Sequence, residues 1–442
     1  MQMEKYKLGD IATVEISGVD KKMKDGEKEI RLCNFVDVYY NWAITTARYD
    51  SFMFASANPN EISKFQLKKG QVALTKDSET RDDIGIPTYI ADDFDDVILG
   101  YHCALITPNK AFLDGRYLNA LLHTDYAKKY FACNASGSGQ RYALSVEALN
   151  SFPVPIIPLR EQKRIGEIFS ALDKKIELNR QINQNLEAMA KQLYDYWFVQ
   201  FDFPDENRRP YKSSGGKMVW NDKLKREIPE GWDDGILIDI ANITMGQSPD
   251  GSSYNEVGEG MLFYQGSTDF GMRFPSVRQY TTAPSRFAKK GDILMSVRAP
   301  VGSINIANND CCIGRGLSAI NSKLGSISHL YYILNDLRIA FDQRNAAGTT
   351  FGSITKEDLY SLPIIIPSDE VIRAFDKICS PMFDRQMILG EEIDNLIKQR
   401  DELLPLLMNG QVSVNSDLSV YKKRRGKVPL LNSKRCVRHL SL

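Results

Sequence analysis

The chain has 442 residues, about three times the length of a usual domain, so at least two domains are expected. Hydrophobic residues make up 43% of the sequence and charged residues 25%, which is typical of a globular protein and excludes a disordered chain. The formal net charge is zero, which neither supports nor excludes a nucleic-acid partner. There is no run of about 18 apolar residues and no charged-then-apolar leader, and this predicts a cytoplasmic protein without a membrane partner.

Cysteine and histidine patterns argue against a metal site. The seven cysteines form no CxxC pair and show no spacing typical of zinc ligands, so free thiols in a reducing compartment are expected. The histidines are isolated in sequence, and we expect packed or surface side chains rather than ligands or bases. They are His102, His123, His329 and His439.

An internal repeat is the most informative feature of the sequence. The extended stretches "FPVPIIP" and "LPIIIP" place Pro153 and Pro363 210 residues apart. Earlier in each half, "LGDIA" matches "LIDIA", and "KKGQVAL" from Lys68 matches "KKGDILM" from Lys289. A period this long indicates a duplicated domain rather than a solenoid.

Each copy contains short β-rich runs, a short helix, a Gly/Ser/Thr loop and the proline-rich passage, followed by a long helical pattern. We therefore predict an α+β fold with two similar α/β-mixed domains. Between the copies, a segment rich in Pro, Gly, Ser and charge is expected to be a surface linker. The predicted boundaries are 1–157 (first domain), 158–200 (first long helix), 201–232 (linker), 233–367 (second domain), 368–412 (second long helix) and 413–442 (basic, disordered tail).

Both long helices carry apolar residues at spacings of three and four. The predicted seam consists of Ile165, Phe169, Leu172, Ile176, Leu186 and Leu193 on the first helix and Leu389, Ile393, Leu396, Leu403 and Leu407 on the second. A helix of about 35 residues cannot bury such a stripe alone. If the copies are related by a pseudo-two-fold axis, the helices form an antiparallel two-helix coiled coil that separates the domains. The other interpretation is that each helix packs only on its own domain.

Asn179 and Asn183 interrupt the seam of the first helix. They are either solvated positions or buried polar residues that fix the register of the helices.

The segment "IPLREQKRIGEIFSALDKKIELNRQINQNLEAMAKQLYDYWFVQFDFP" closely resembles the central region of specificity subunits of type I restriction-modification systems. The resemblance continues in "EIRLCNFVDVYYN", "TMGQSPDGSSYNEVGEGMLFYQG" and "RDELLPLLMNGQV", which follow the order of the family and cover nearly the whole chain to Val412. The family usually ends near this point, whereas here a basic tail follows. The tail is either a disordered extension or a nonspecific phosphate contact.

The resemblance implies two target-recognition domains, each of which reads one half of a bipartite double-stranded DNA sequence, and a helical pair that sets the gap. It implies a non-catalytic DNA-recognition subunit without a cofactor of its own. The expected partners are two modification (methyltransferase) subunits, which methylate adenine with S-adenosylmethionine, and restriction subunits, which use ATP and Mg²⁺ to translocate and cut DNA.

A search for catalytic motifs agrees with a non-catalytic role. The sequence has no Pro-Pro dipeptide, no GxGxxG spacing, no P-loop and no acidic nuclease pattern. Three alternatives stay open: a recognition subunit that works with a fused nuclease-methyltransferase partner, a nuclease or methyltransferase with an unrecognised site, and a scaffold that never contacts DNA.

Candidate DNA contacts lie in polar loops at corresponding points of the two halves, because bases and phosphates are bound by cationic, amide and hydroxyl side chains. In the first half they are Lys76, Arg81, Gln140, Arg141 and Tyr142; in the second they are Gln247, Ser248, Tyr254, Arg298, Thr349 and Thr350. Each has a structural alternative: Arg81 pairs with Asp82 or Asp83, Tyr254 belongs to the core, or the Ser/Thr loop caps the next helix. Since the loops differ between the halves, an asymmetric target is expected.

Overall fold

The computed structural model describes residues 4–137, 140–271, 273–346 and 353–410, apart from the side chains of residues 339–346. The chain divides into two compact units, Met1–Glu177 with Asn395–Leu442, and Leu178–Asp394. No helix in these described ranges is both long and apolar enough to cross a membrane.

The first unit contains the elements up to the first long helix. Its strands are β1 Glu4–Lys7, β2 Ala12–Ile16, β3 Lys28–Cys33, β4 Ala43–Ile44, β5 Met53–Ala57, β6 Val72–Thr75, β7 Asp77–Ser78, β8 Pro87–Ile90, β9 Val97–Leu99, β10 Cys103–Pro108, β11 Ser136–Gly137, β12 Tyr142–Ala143 and β13 Pro153–Ile156. Its helices are α1 Leu8–Ile11, α2 Phe35–Tyr39, α3 Pro59–Phe65, α4 Gly115–Leu122, α5 Asp125–Asn134, α6 Val146–Asn150 and the start of α7 Leu159–Tyr194; 3-10 turns cover Thr46–Ser51 and Arg81–Asp83.

A five-stranded sheet of order β2-β10-β6-β8-β4 forms the centre of the first unit. In β6, Val72 and Leu74 belong to one buried hydrophobic cluster and Ala73 to another. Because successive side chains of a strand point to opposite faces, this sheet is covered on both sides. Smaller sheets, β5-β3-β9, β11-β12-β7 and β1-β13, surround it.

The second unit begins within α7 and ends within α11. Its strands are β14 Met218–Asn221, β15 Arg226–Pro229, β16 Asp233–Ile236, β17 Ala241–Met245, β18 Tyr254–Asn255, β19 Met261–Tyr264, β20 Gln279–Thr281, β21 Phe287–Ala288, β22 Ile293–Ser296, β23 Ile304–Ile306, β24 Cys311–Ile313, β25 Leu317–Ser322 and β26 Pro363–Ile366. Its helices are α8 Leu237–Ile240, α9 Ile327–Ala346, α10 Lys356–Tyr360 and the first part of α11 Asp369–Met408; a π-helical turn, Asp195–Val199, follows α7, and 3-10 turns cover Gly251–Ser253 and Ser267–Asp269.

The second unit repeats the central sheet of the first. Its order β17-β25-β22-β23 corresponds to β2-β10-β6-β8, and all of these pairings are antiparallel. The proline-rich strands also correspond, since Lys7 pairs with Pro153 and Ile236 with Pro363. The predicted duplicated α+β fold is therefore confirmed. A second sheet, β18-β20-β19-β24-β21, has a different strand order from any sheet described in the first unit.

The predicted linker, 201–232, is folded in the second unit. It contains the β14-β15 hairpin, and four of its large apolar side chains belong to the core of that unit. Phe203 stacks on Trp232 with ring centroids 4.9 Å apart. These four side chains are Phe201, Phe203, Ile228 and Trp232.

Within the second unit, α7 and α11 run antiparallel. Gln386 Nε2 donates to the carbonyl oxygen of Asn183 at 3.3 Å and to Glu187 Oε2 at 2.9 Å. Earlier on α11, the ring of Phe375 lies 5.9 Å from that of Trp197, which is later in the chain than α7. Lower numbers on one helix thus face higher numbers on the other.

The predicted seam positions are all buried or half-buried. Ile165, Phe169, Ile176, Leu389, Ile393 and Leu407 are buried, and Leu172, Leu186, Leu193, Leu396 and Leu403 are half-buried. In the first unit, Leu404 and Leu407 of α11 share a hydrophobic cluster with Phe169 of α7 and with Phe131 of the first domain. The second helix therefore does not pack only on the domain that precedes it.

Asn179 and Asn183 are buried, with exposed fractions of 0% and 6%. They are therefore not solvated positions. The amide oxygen and nitrogen of both side chains are buried without a hydrogen-bond partner among the described residues.

Candidate DNA interface

In both units, the segment that follows a strand of the central sheet (β6 or β22) pairs with a later part of the chain at an equivalent position. In the first unit Asp77 of β7 pairs with Ala143 of β12, and in the second Arg298 pairs with Ser353. Matching main-chain hydrogen bonds follow, from Leu144 N to the carbonyl of Lys76 at 2.8 Å and from Ile354 N to the carbonyl of Val297 at 2.9 Å. Val297 therefore corresponds to Lys76, and the predicted contact Arg298 corresponds to Asp77.

The hairpin of β11 and β12 carries the second group of candidates in the first unit. Gly137 pairs with Tyr142, and a Cβ atom on Gly137 would lie 2.1 Å from the carbonyl oxygen of Arg141. Only glycine permits this approach. The hairpin leaves the side chains of Gln140 and Arg141 exposed.

Lys76 and Arg141 are connected through two residues that the sequence did not single out as contacts. The carboxylate of Asp77 accepts from Lys76 Nζ at 2.9 Å and is hydrogen-bonded to Nδ1 of His102. On the other side of the imidazole, Nε2 lies 3.5 Å from Arg141 Nη2. We call Lys76, Asp77, His102 and Arg141 the first-unit polar chain.

Asp77 is ionised in this arrangement. Burial tends to raise its pKa, but hydrogen bonds from His102 and Lys76 and the charge of Lys76 outweigh burial, so the pKa lies below its ordinary value. Its side chain is 9% exposed, and a buried carboxylate requires such partners.

Arg81 lies beside the same hairpin. Its guanidinium is 5.0 Å from the ring centroid of Tyr142, a cation–π contact. The carboxylate of Asp83 accepts instead from Tyr39 OH at 2.9 Å. The structure therefore brings Lys76, Arg81, Arg141 and Tyr142 together at one edge of the first unit.

The helices that follow these loops are capped by Ser145 and Thr355, which are not among the candidates. Ser145 Oγ accepts from Ala148 N at 3.1 Å at the start of α6, and Thr355 Oγ1 accepts from Asp358 N at 3.2 Å at the start of α10. Thr349 and Thr350 lie outside the described residues.

In the second unit, the turn between β24 and β25 holds the candidates together. Ser248 Oγ accepts from Arg315 N at 3.3 Å, and Gln247 N donates to the carbonyl of Ile313 at 3.1 Å. Val297, next to Arg298, donates its N–H to the carbonyl of Gly316 at 2.9 Å.

Arg315 is exposed at this turn and was not among the predicted contacts. Its signal in the sequence is the "GRG" tripeptide, which predicts a turn that presents an arginine.

Tyr254 is more structural than the other candidates. Its hydroxyl donates to the carbonyl of Pro249 at 3.0 Å, and its ring stacks on Phe263 with centroids 4.9 Å apart. The side chain is half-buried.

Metal chemistry has no candidate site in the part of the chain that the structure describes, where no group of three or more His, Cys, Asp or Glu side chains is placed to hold an ion. The exposed cations, amides and hydroxyls can bind by hydrogen bonds and charge. Each copy of the duplicated α+β fold thus carries a group of exposed polar loop residues, which we call its polar edge.

Comparison with known proteins identifies the family. The model of the type I restriction modification DNA specificity domain matches residues 2–188 and 229–399, once in each copy. The chain belongs to this family.

Two relatives agree with this assignment, and one solved structure shares the fold. The chain is 32% identical over 367 residues to the protein assigned as the type I restriction enzyme MjaX specificity subunit of Methanocaldococcus jannaschii, covering 80% of this chain and 81% of that protein. It is 26% identical over 415 residues to the type I restriction enzyme HindI specificity subunit of Haemophilus influenzae, covering 79% and 88%. A crystal structure of the type I restriction-modification S subunit from M. genitalium has the same fold, with a TM-score of 0.57, 15% identity and coverage of 92% and 96%.

Proposed function

We propose that this chain is the DNA sequence-specificity subunit of a type I restriction-modification enzyme. The observation that carries the proposal is that the DNA specificity domain matches twice, once in each of two copies of one fold. Each copy reads one half of a bipartite target. Because the polar edges carry different side chains, the two half-sites differ in sequence.

The subunit binds DNA and performs no chemistry itself. Its partners are two modification subunits, which methylate adenine with S-adenosylmethionine, and restriction subunits, which use ATP and Mg²⁺. This division is supported by the absence of cofactor motifs from the sequence and by the specificity subunits among its relatives.

The long helices set the gap between the half-sites and carry the modification subunits. Two recognition surfaces on a fixed spacer accept only half-sites at a fixed separation along the DNA helix. Lengthening α7 and α11 together should change the gap and leave the letters of both half-sites unchanged.

A methylation map tests the function directly. The chain is expressed with its modification subunit in a host without DNA methylation, and N6-methyladenine is located across the genome. We expect one gapped, asymmetric motif that is absent when the modification subunit is expressed alone. The isolated chain should not transfer methyl groups or cut DNA, and either activity would refute the non-catalytic role.

The map also separates the alternatives. A motif formed only with a fused nuclease-methyltransferase partner would assign the chain to another restriction-modification type. A stable complex that binds duplex DNA no better than the modification subunit alone, at any salt concentration, would indicate a scaffold without DNA contact.

A further inference from the structure

We propose that Arg141 reads a guanine in one half-site, and that His102 and Asp77 are positioning residues that hold its guanidinium for this contact. The inference rests on the proposed function and extends it by naming a base and the residues that select it. Sequence reasoning treated His102 as an isolated packed or surface residue and did not consider Asp77 as a contact.

The imidazole of His102 contacts Asp77 and Arg141 through its two ring nitrogens. Asp77 accepts from Nδ1 of His102, which fixes the tautomer with its proton on that nitrogen. Nε2 faces Arg141, whose Nη2 lies 3.5 Å away and can donate to it. One edge of the guanidinium is thereby held and its other N–H groups are left for a ligand.

His102 has an unusual backbone conformation. Its φ is +68°, a left-handed conformation that non-glycine residues adopt rarely and at a cost. The equivalent residue of the second unit is Gly316, since Lys76 N and Val297 N donate to the carbonyls of His102 and Gly316 at the same distance, 2.9 Å. Gly316 does not have a positive φ, so the left-handed conformation is particular to His102, where the imidazole lies between Asp77 and Arg141.

The surface around Arg141 carries both cations and carboxylates. The cations of residues 76–83 and of the hairpin are Lys76, Arg81 and Arg141. The carboxylates of residues 76–83 are Asp77, Glu79, Asp82 and Asp83. With one more carboxylate than cations, this surface attracts phosphate weakly, which favours a role in base readout over backbone affinity.

The N–H donors of the Arg141 guanidinium match the acceptor pattern of one base. Within the described part of the chain, Arg141 forms no ion pair with a carboxylate, and its side chain is exposed. A planar guanidinium donates two parallel hydrogen bonds to O6 and N7 of guanine in the major groove. A guanine is therefore the base that the held arginine fits.

The experiment uses the complex of the full chain with its modification subunit. After the motif is mapped, each guanine in both half-sites is replaced in turn by 7-deazaguanine, which lacks the N7 acceptor, and binding is measured in duplexes. We expect one position in one half-site at which this change weakens binding roughly tenfold. R141A should weaken binding to the native site about 5- to 150-fold, relax that letter alone, and be insensitive to 7-deazaguanine there.

The positioning role is tested by H102N. Asparagine tolerates the left-handed backbone, so the turn is kept, but it does not span the distance from Asp77 to Arg141. We expect a reduced preference for the same guanine, with assembly and the other half-site unchanged. The control is R209A, because Arg209 is 60% exposed and pairs only with Asp205 among the described residues; its motif should equal that of the wild type.

The outcomes distinguish the two proposals. If the wild-type complex assembles but produces no gapped motif, the proposed function fails and this inference with it. If a motif forms but no guanine responds to 7-deazaguanine, or R141A keeps every letter, only the guanine contact is overturned. Since the wild-type duplex assay needs no variant, it can overturn the contact even if R141A does not fold. Full guanine preference in H102N would overturn the positioning role alone.

Discussion

Replacing the buried Asn179 by leucine should stabilise the second unit. The asparagine is 0% exposed on α7, and both polar atoms of its amide lack a partner among the described residues. A buried donor or acceptor without a hydrogen bond costs about 1–3 kcal/mol. Leucine removes both polar atoms and adds apolar contact, while its larger volume costs part of this gain through closer packing.

The expected net effect of N179L is an increase of about 1–2 kcal/mol in the free energy of unfolding. For a unit of this size, ~1 kcal/mol corresponds to a rise in melting temperature of roughly 2–4 °C, so we expect roughly 2–8 °C. Differential scanning calorimetry of the full chain measures this, because it resolves the transitions of separate units.

The matched control is the neighbouring residue on the same helix. Leu178 is 51% exposed, so L178N exchanges the same two residue types in the opposite direction at the surface. Its effect should stay within about 0.5 kcal/mol. A melting temperature that is unchanged or lower in N179L, with L178N neutral, would refute the assignment of an energetic cost to the buried amide. Such a cost is consistent with a polar residue kept to fix the helix register.

Three further perturbations test other parts of the structure. In G137A, a Cβ atom 2.1 Å from the carbonyl oxygen of Arg141 should open the hairpin, so the methylation map should lose selectivity in one half-site while calorimetry shows the second unit unchanged. Burial lowers the pKa of His329 to about 3, so this side chain is neutral in the folded protein and takes up a proton on unfolding below pH ~6.5. The free energy of unfolding should therefore fall as the pH drops from ~6.5 towards 3, by up to ~1.4 kcal/mol per pH unit. Urea unfolding of H329F should lack this contribution to the pH dependence. Removing residues 413–442, which carry eight Lys or Arg and one Asp, should reduce the salt dependence of DNA binding if the tail contacts phosphates and leave the motif unchanged; an identical salt slope would exclude the contact.

The two polar edges differ in a way that bears on asymmetric recognition. The first unit holds its cations through Asp77 and His102, whereas the second presents Arg315 and Arg298 from turns held by main-chain hydrogen bonds to Gly316 and Ile313. A common sheet thus supports two sets of side chains. This is the arrangement by which one fold can serve two different half-sites.

The amino-acid sequence by itself determined the duplication, the mixed α+β class and the two long helices. These features are written in local or periodic patterns: the matching stretches around Pro153 and Pro363, and apolar residues at spacings of three and four along α7 and α11. The same information placed Lys76 and Arg298 in corresponding loops. Such patterns can be recognised without knowledge of tertiary contacts, because each depends on residues close in sequence or on the match between the two copies.

Only the tertiary structure decided which polar side chains meet. Asp77 and His102 are 25 residues apart in sequence and His102 and Arg141 are 39 apart, and no spacing rule links them. The burial of Asn179, and of Phe203 and Trp232 in the segment expected to be a linker, likewise depends on the elements that pack around them. Long-range contacts of this kind arise from the way the sheet and hairpin bring distant segments together, and composition or periodicity along the chain does not encode them.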